Sequence, residues 1–408
     1  MKTATTRKTS SAHLISQLLH STALTLTIGV FALSAPALAV DNLELPTGGT
    51  VVGGSAALNY AAPGQLDVNQ TTNRLVVDWD SFNIGSKATT TFNQPTNTAL
   101  AVNRVTGAGK DPTQILGTLK ANGRVMVLDR NGVLFGVNSR VDAAGIIAST
   151  GDVDTAAVMA GSDRIELSNF GNAAVENHGT ISVADSGLAA LVAPTVRNSG
   201  TITARLGRVA LASGEKVTVD LYGDNLIEMA LDGNASKAVI DQTGTIAAEG
   251  GVIQITAQAA KDVVDSAINM DGITTASSVT QQGGRIVLSG DTVNVGGTVS
   301  ADGATGGSVT VNARRATVRN TARVTANSTA GQAAGTVKVL ASEKATVAGS
   351  LEAKGAAGTG FIETSAPDLA VADSTSVSTT GEWLIDPPDF IIDAVWEGLI
   401  ETALGGGN

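Results

Sequence analysis

The chain has 408 residues, 26 Lys and Arg against 37 Asp and Glu, three histidines and no cysteine. Those absences remove cysteine nucleophiles, thiolate zinc sites and multi-histidine metal centres, so neither a metal nor a cofactor is expected. The acidic balance repels phosphate backbones and argues against nucleic-acid binding.

The first 39 residues have the pattern of a secretory signal. Lys2, Arg7 and Lys8 make a basic start, residues 23–33 are apolar, and Ala37-Leu38-Ala39 gives a small-x-small cleavage site at Ala37 and Ala39. The apolar stretch is shorter than the roughly 20 residues of a span. No other run is long or apolar enough, so no membrane span is expected. Beyond residue 39 the net charge is −14, from 23 basic and 37 acidic residues. His178, in "VENHGTIS", is the one histidine left and reads as an ordinary loop residue beside a glycine turn.

Residues 40–170 show little periodicity and hold Tyr60, Trp79, Phe82, Phe92, Phe135 and Phe170, most of the aromatics beyond the signal. "DWD" places Asp78 and Asp80 on one face of a strand, as a solvent-facing pair, and Trp79 on the other. "TGAGKD", 106–111, lacks the first Gly and the Ser or Thr of a phosphate loop and reads as a solvated turn. In "VMVLDRNGVLFG", Asn131-Gly132 between apolar runs predicts a β-hairpin with a type I′ turn, which needs positive φ at both residues.

From about 171 to 380 short phrases recur. "HGTISVADSG", "SGTITARLG", "TGTIAAEGG", "DGITTASS" and "GGTVSADGATGG" open on glycines 179, 200, 244, 272 and 297, the 44-residue step reading as two units. "GRVALASGE", "GGVIQITAQ" and "GGRIVLSGD" form a second series; "EKVTVDL", "DTVNVGG" and "EKATVAG" form a third. Three short alternating strands per unit of 21–28 residues predict an all-β, right-handed parallel β-helix. Eight or so coils would make a rod of about 40 Å. Its raw sheet edge needs a cover, and residues 40–170 suit a capping domain. Alternation puts Val287 and Val309 inside, Asn294 and Thr310 outside.

The N-terminal block is also similar to a known family. "TTNRLVVDWDSFNIGS…NRVTGAGKDPTQILGTLKANGRVMVLDRNGVLFG" resembles the secretion domain of two-partner-secretion exoproteins, which include filamentous haemagglutinin-like adhesins. The resemblance runs from about Leu43 to Thr150. It is carried by Trp79, Phe82-Asn83-Ile84-Gly85, Asn103-Arg104-Val105, Ile115-Leu116-Gly117 and Ala121-Asn122-Gly123. The family motif Asn-Pro-Asn-Gly-Ile falls on Asp129-Arg130-Asn131-Gly132-Val133, keeping only the Asn-Gly pair; "FNQPTN" (92–97) lies near the place of a second motif, Asn-Pro-Asn-Leu. The resemblance implies export through a dedicated outer-membrane β-barrel transporter of a Gram-negative cell. The chain would cross unfolded and wind into a β-helix outside, as a secreted or cell-surface protein. Asn103, Arg104, Asn131 and Gly132 are then the candidate transporter-recognition residues. An adhesin, meeting a host-cell or bacterial receptor, is the expected function; the secretion end of a larger contact-dependent toxin carrier is the alternative.

A polysaccharide-cleaving β-helix enzyme is the rival of another class. It needs acids converging on one outer face, and Asp220, Asp224, Asp241 and Arg285 show no clustering in sequence, so no enzyme is expected. Sequons stand at Asn69, Asn234 and Asn327. After Gly381 the style changes to "GEWLIDPPDFIIDAVWEGLIETALGGGN", where Trp383, Pro387-Pro388 and Trp396 suggest that 381–408 begin a further, shortened segment.

Overall fold

A coil that closes every 21–28 residues can bury its inner side chains only against the coils above and below. In the computed structural model this stacking governs nearly all of residues 40–387. The described residues are 40–214, 217–221, 227–229, 238–258, 266–277, 283–387 and 398, so Ala37, Ala39, Asn234, Pro388 and Trp396 lie outside them. The protein is a parallel β-helix of about twelve coils, three strands to a coil, and not a sandwich. At about 4.8 Å per coil the stack is roughly 50 Å long.

The third face shows the stacking best. It starts at Gln65–Gln70, passes through Thr89–Asn93, Thr118–Ala121, Arg140–Ala143 and Thr180–Val183, and ends at Ser376–Thr379. Its register is strict: Thr180 pairs with Thr201, Ile181 with Ile202, and Thr201 in turn with Thr245. The 44-residue step from Gly200 to Gly244 is therefore a single coil carrying an insertion, not two units. A Cβ on Gly244 would lie 2.2 Å from the Gly200 carbonyl oxygen, well inside van der Waals contact, and Gly272 meets Gly244 in the same way. The recurrent glycine is thus a steric requirement of a corner where successive backbones touch.

Parallel pairing does not pause at residue 170. On the first face Arg74–Trp79, Leu100–Val105, Arg124–Leu128, Gly145–Ser149 and Leu188–Val192 follow one another in one ladder. What covers the N-terminal edge is short. Thr50–Gly53 and Ala56–Ala62 lie antiparallel on the first strands of two faces. Behind them Trp79, Phe82 and Phe92 fill the interior, with Trp79 edge-on to Phe82 at 5.6 Å. Farther along, the core changes to Val, Ile, Leu and Ala. At the other end Glu382–Ile385 still pairs in parallel with Phe361–Ser365, so Trp383 continues the coil.

A second core lies outside the first face. Val76, Val102, Met126, Leu128, Ile147, Ala190, Val192 and Ala210 point outward, yet all are buried. They are covered by a single-turn helix, Thr155–Met159, and an antiparallel sheet of Arg164–Leu167, Val217–Asp220 and Ile227–Met229. "VTVD" (Val217–Asp220) therefore belongs to this outer sheet; the coil strand expected there is Ala238–Gln242. Burial on both faces explains the unbroken apolar runs of "LVV", "VMVL" and "LAALV". In later coils one-sided alternation returns: Val309 is buried and Thr310 and Asn294 face outward. Val287, expected inside, faces outward between buried Ile286 and Leu288; the register is one residue off the one read from sequence.

Candidate functional site

The four candidate recognition residues sit on two neighbouring coils and play unequal parts. Asn103 points into the core and is fully buried. Its Oδ1 accepts from Trp79 Nε1 at 3.0 Å, and its Nδ2 donates to the carbonyls of Met126 (3.3 Å) and Ala101 (3.4 Å). In the next coil the same register position is Val127. A buried indole N–H needs an acceptor, and Asn103 supplies it. No surface of the folded chain presents this side chain.

Arg104 faces outward. Its guanidinium makes a two-pronged contact with Asp78, at 2.8 and 3.2 Å, and reaches Asp152 at 3.4 Å. The hydrogen bond to Asp78 raises the arginine's pKa further above its usual value. Asp152 opens the excursion that carries the helix and the first strand of the outer sheet, and Arg74 holds its tip through Asp163 and the carbonyl of Ser162. Asp78 is accordingly an ion-pair partner and not half of a solvent-facing acid pair; Asp80 is exposed.

Asn131 and Gly132 do not turn a hairpin. Arg124–Leu128 and Val133–Phe135 never pair with each other; each lies parallel to strands of the coils above and below. Gly132 has φ +112°, but Asn131 is not in the left-handed region, so the type I′ expectation fails. The turn is a coil corner closed by Gly132 N–H donating to the Asp129 carbonyl at 3.0 Å. Asp at the first place and Gly at the fourth suit a type I turn. Buried Asp129 completes it: Oδ1 accepts from Asn131 N–H at 2.9 Å, and Oδ2 accepts from the amide and hydroxyl of Thr113 at 2.9 and 2.8 Å. Burial pushes the carboxyl above its usual range, against the pull of those hydrogen bonds. Asn131 Nδ2 is spent elsewhere, donating to the Gly109 carbonyl of the preceding coil at 3.1 Å.

"FNQPTN" does a similar job at another corner, one that sequence reasoning did not interpret. Gln94 and Asn122 exchange backbone–side-chain bonds at 2.7 and 2.8 Å, and Gln94 Nε2 also reaches Gln70, Ala99 and Arg124. The signal available in sequence was a run of Asn and Gln at the strand ends of three successive coils. His178 lies between Ser199 (2.6 Å) and Glu176 (3.3 Å), bonded to both.

The acids of the rival enzyme do not converge. Asp220 is in the outer sheet, Asp241 is on the second face beside Arg197 at 3.7 Å, Arg285 is on the first, and Asp224 lies outside the described residues. Among the described residues no group of three His, Asp or Glu could hold a metal, and no helix is long and apolar enough to cross a membrane.

The capped parallel coil has counterparts among known proteins. The family model of the TPS secretion domain, the domain of two-partner secretion, matches residues 44–301. The chain belongs to this family. Heme/hemopexin-binding protein of Haemophilus influenzae strain Rd is 31% identical over 269 residues, which cover 62% of this chain and 28% of that protein. A second H. influenzae heme/hemopexin-binding protein is 29% identical over 276 residues, covering 62% and 29%. The match thus spans less than a third of these relatives. The crystal structure of the HMW1 secretion domain from H. influenzae superposes with a TM-score of 0.71 at 24% identity, over 84% of this chain and all of that one, and establishes the shared fold. A TPS secretion domain marks an exoprotein of two-partner secretion, and this chain carries one.

Proposed function

We propose that this exoprotein is delivered to the cell surface or released by a dedicated outer-membrane β-barrel transporter that recognises its N-terminal coils. Its later coils then present a non-catalytic binding surface, as in an adhesin. The observation that carries this reading is the match of residues 44–301 to the TPS secretion domain. Two features of the chain suit the route. It has no cysteine, so no disulfide can lock it before passage, and its coils pair with their immediate neighbours, so they can wind in order of emergence.

The test is export of the full chain in a Gram-negative host with and without a cognate outer-membrane barrel transporter. Extracellular protein should appear only with the transporter and vanish when residues 44–150 are replaced by unrelated sequence. Equal release without the transporter would overturn the proposal. The names of the H. influenzae relatives favour a second reading, in which the chain binds heme or hemopexin. Titration of the purified chain with heme, followed by its Soret band, and with hemopexin by calorimetry decides between the two.

A further inference from the structure

The chain leaves the stack twice at the same corner, between the first and second faces. Residues 150–173 follow the first-face strand Gly145–Ser149, and residues 214–237 follow Arg208–Ser213. The coil between them turns this corner with Ala193-Pro194 alone, and Ser213 Oγ and Val239 N–H donate to the Pro194 carbonyl at 2.7 and 3.0 Å. The two excursions meet across it. Arg164–Leu167 of the first pairs antiparallel with Val217–Asp220 of the second, and Leu221 N–H donates to the Asp163 carbonyl at 2.9 Å. The Asp163 carboxylate takes the Arg74 guanidinium at 3.3 Å, so one residue ties the strand Arg74–Trp79 to the second excursion.

Beneath this junction runs an apolar strip in strict register: Val76, Val102, Met126, Ile147, Ala190 and Ala210, one from each successive first-face strand. Ile165, Leu167, Val217, Val219 and Leu221 close over it and are themselves buried. The same register column continues as Gln254, Val287, Thr310 and Lys338, none of them buried. There the later strands Arg285–Val295, Ser308–Val318 and Thr336–Val347 pass the corner with no excursion. The apolar strip thus ends where its cover ends. Repeats that touch only their neighbours can open one at a time, whereas a cover shared by several coils opens as a unit.

We infer that the outer sheet is a clasp that makes the coils from Arg74 to Ser213 one cooperative block, with the coils from Arg285 onward outside it. Opening a clasped coil uncovers the strip for the others, while a later coil loses only its contacts with two neighbours. The clasp also sets an order. Val217–Asp220 follows in the chain every coil it locks, so a chain winding as it emerges leaves the strip open to water until residues 217–221 are outside. That last consequence rests on the proposal that the chain is exported unfolded; the block itself does not.

The experiment reads amide exchange strand by strand in the purified chain without its first 39 residues, native and in three variants. Val219→Asp sets a charge against the strip and opens the clasp. Thr310→Asp sets the same charge on the same register column where nothing covers it. Glu166→Cys/Thr218→Cys, at directly paired positions beside Ile165 and Val219, places a disulfide across the clasp in a chain with no other cysteine. In the native chain the first-face strands of 74–213 should share one slow opening rate, distinct from the rates of 285–379. Val219→Asp should speed exchange tenfold or more throughout 74–213 and leave 285–379 unchanged, while Thr310→Asp should spare 74–213. Oxidising the cysteine pair should slow exchange tenfold or more as far away as 74–79, relative to the reduced form, and decides the matter even if Val219→Asp does not fold. Effects confined to 164–167 and 217–220, or native rates that differ from coil to coil across 74–213, would overturn the clasp. Pulse labelling during refolding should show 74–128 and 217–220 gaining protection together; stable protection at 74–128 first would overturn the order. No transporter enters these readings, so failure of the export proposal would leave them standing.

Discussion

Replacing Asn103 by Val tests whether this family-motif residue is read or merely structural. Valine is what the next coil places at the same register position, so the backbone and most of the volume are kept. The loss is the 3.0 Å acceptor for Trp79 Nε1, which becomes a buried donor without a partner, together with two longer bonds to carbonyls. An orphaned buried donor costs about 1–3 kcal/mol, and the two bonds at 3.3 and 3.4 Å add little, so Asn103→Val should lose about 2 kcal/mol. Trp79→Phe removes the indole N–H, and the double variant Asn103→Val/Trp79→Phe should lose less than the two single variants together, by about 1–2 kcal/mol. A stack of coils need not unfold in one step, so the assay is amide exchange over residues 74–128 alongside circular-dichroism melting. Export should follow stability across the set. Strictly additive losses, or a double variant with recovered local stability and no export, would refute the structural assignment.

Other variants test the packing. Thr90 and Thr274 each bury a hydroxyl that has no partner among the described residues, so Thr90→Val and Thr274→Val should each stabilise by about 1 kcal/mol in melting experiments; destabilisation would mean that the hydroxyl is satisfied. Gly244→Ala drives a methyl group against the Gly200 carbonyl and should cost about 1–3 kcal/mol, whereas Gly109→Ala should leave the melting midpoint where it is. Asp129 titrates above its usual 3.8, so the native state takes up its proton first as the pH falls. The ionised group therefore costs stability at neutral pH and returns it between its raised value and 3.8. The stability of Asp129→Asn minus that of the native chain should be most positive near neutral pH and fall toward pH 4; a gap that widens instead contradicts the sign.

The coils were legible where a constraint acts between residues of like phase. Gly179, Gly200, Gly244, Gly272 and Gly297 recur because each backbone touches the last, and that contact leaves a mark in every repeat. The second core left a subtler one. Burial on both faces erases alternation, so "LAALV" and "VMVL" gave no hint of which side met the helix and outer sheet. The "VTVD" strand alternates as a coil strand would, and its antiparallel partners Arg164–Leu167 and Ile227–Met229 show where it belongs. Asn131-Gly132 misled for a related reason. A hairpin and a coil corner place the same turn residues between apolar strands, and they differ in the strand partners, which for Val133 are Thr113 and Val175. For the candidate site, the sequence singled out Asn103, Arg104 and Asn131 but not the contacts each one makes. Each is occupied by a group distant in the chain: Trp79, Asp152 and Gly109.

Hydrogen–deuterium exchange of the chain beyond residue 39, with and without the transporter's periplasmic portion, tests the central claim most directly. Recognition of the N-terminal coils predicts new protection within residues 44–150, with residues 285–380 unchanged. Protection confined to the later coils, or none at saturating transporter, would contradict it.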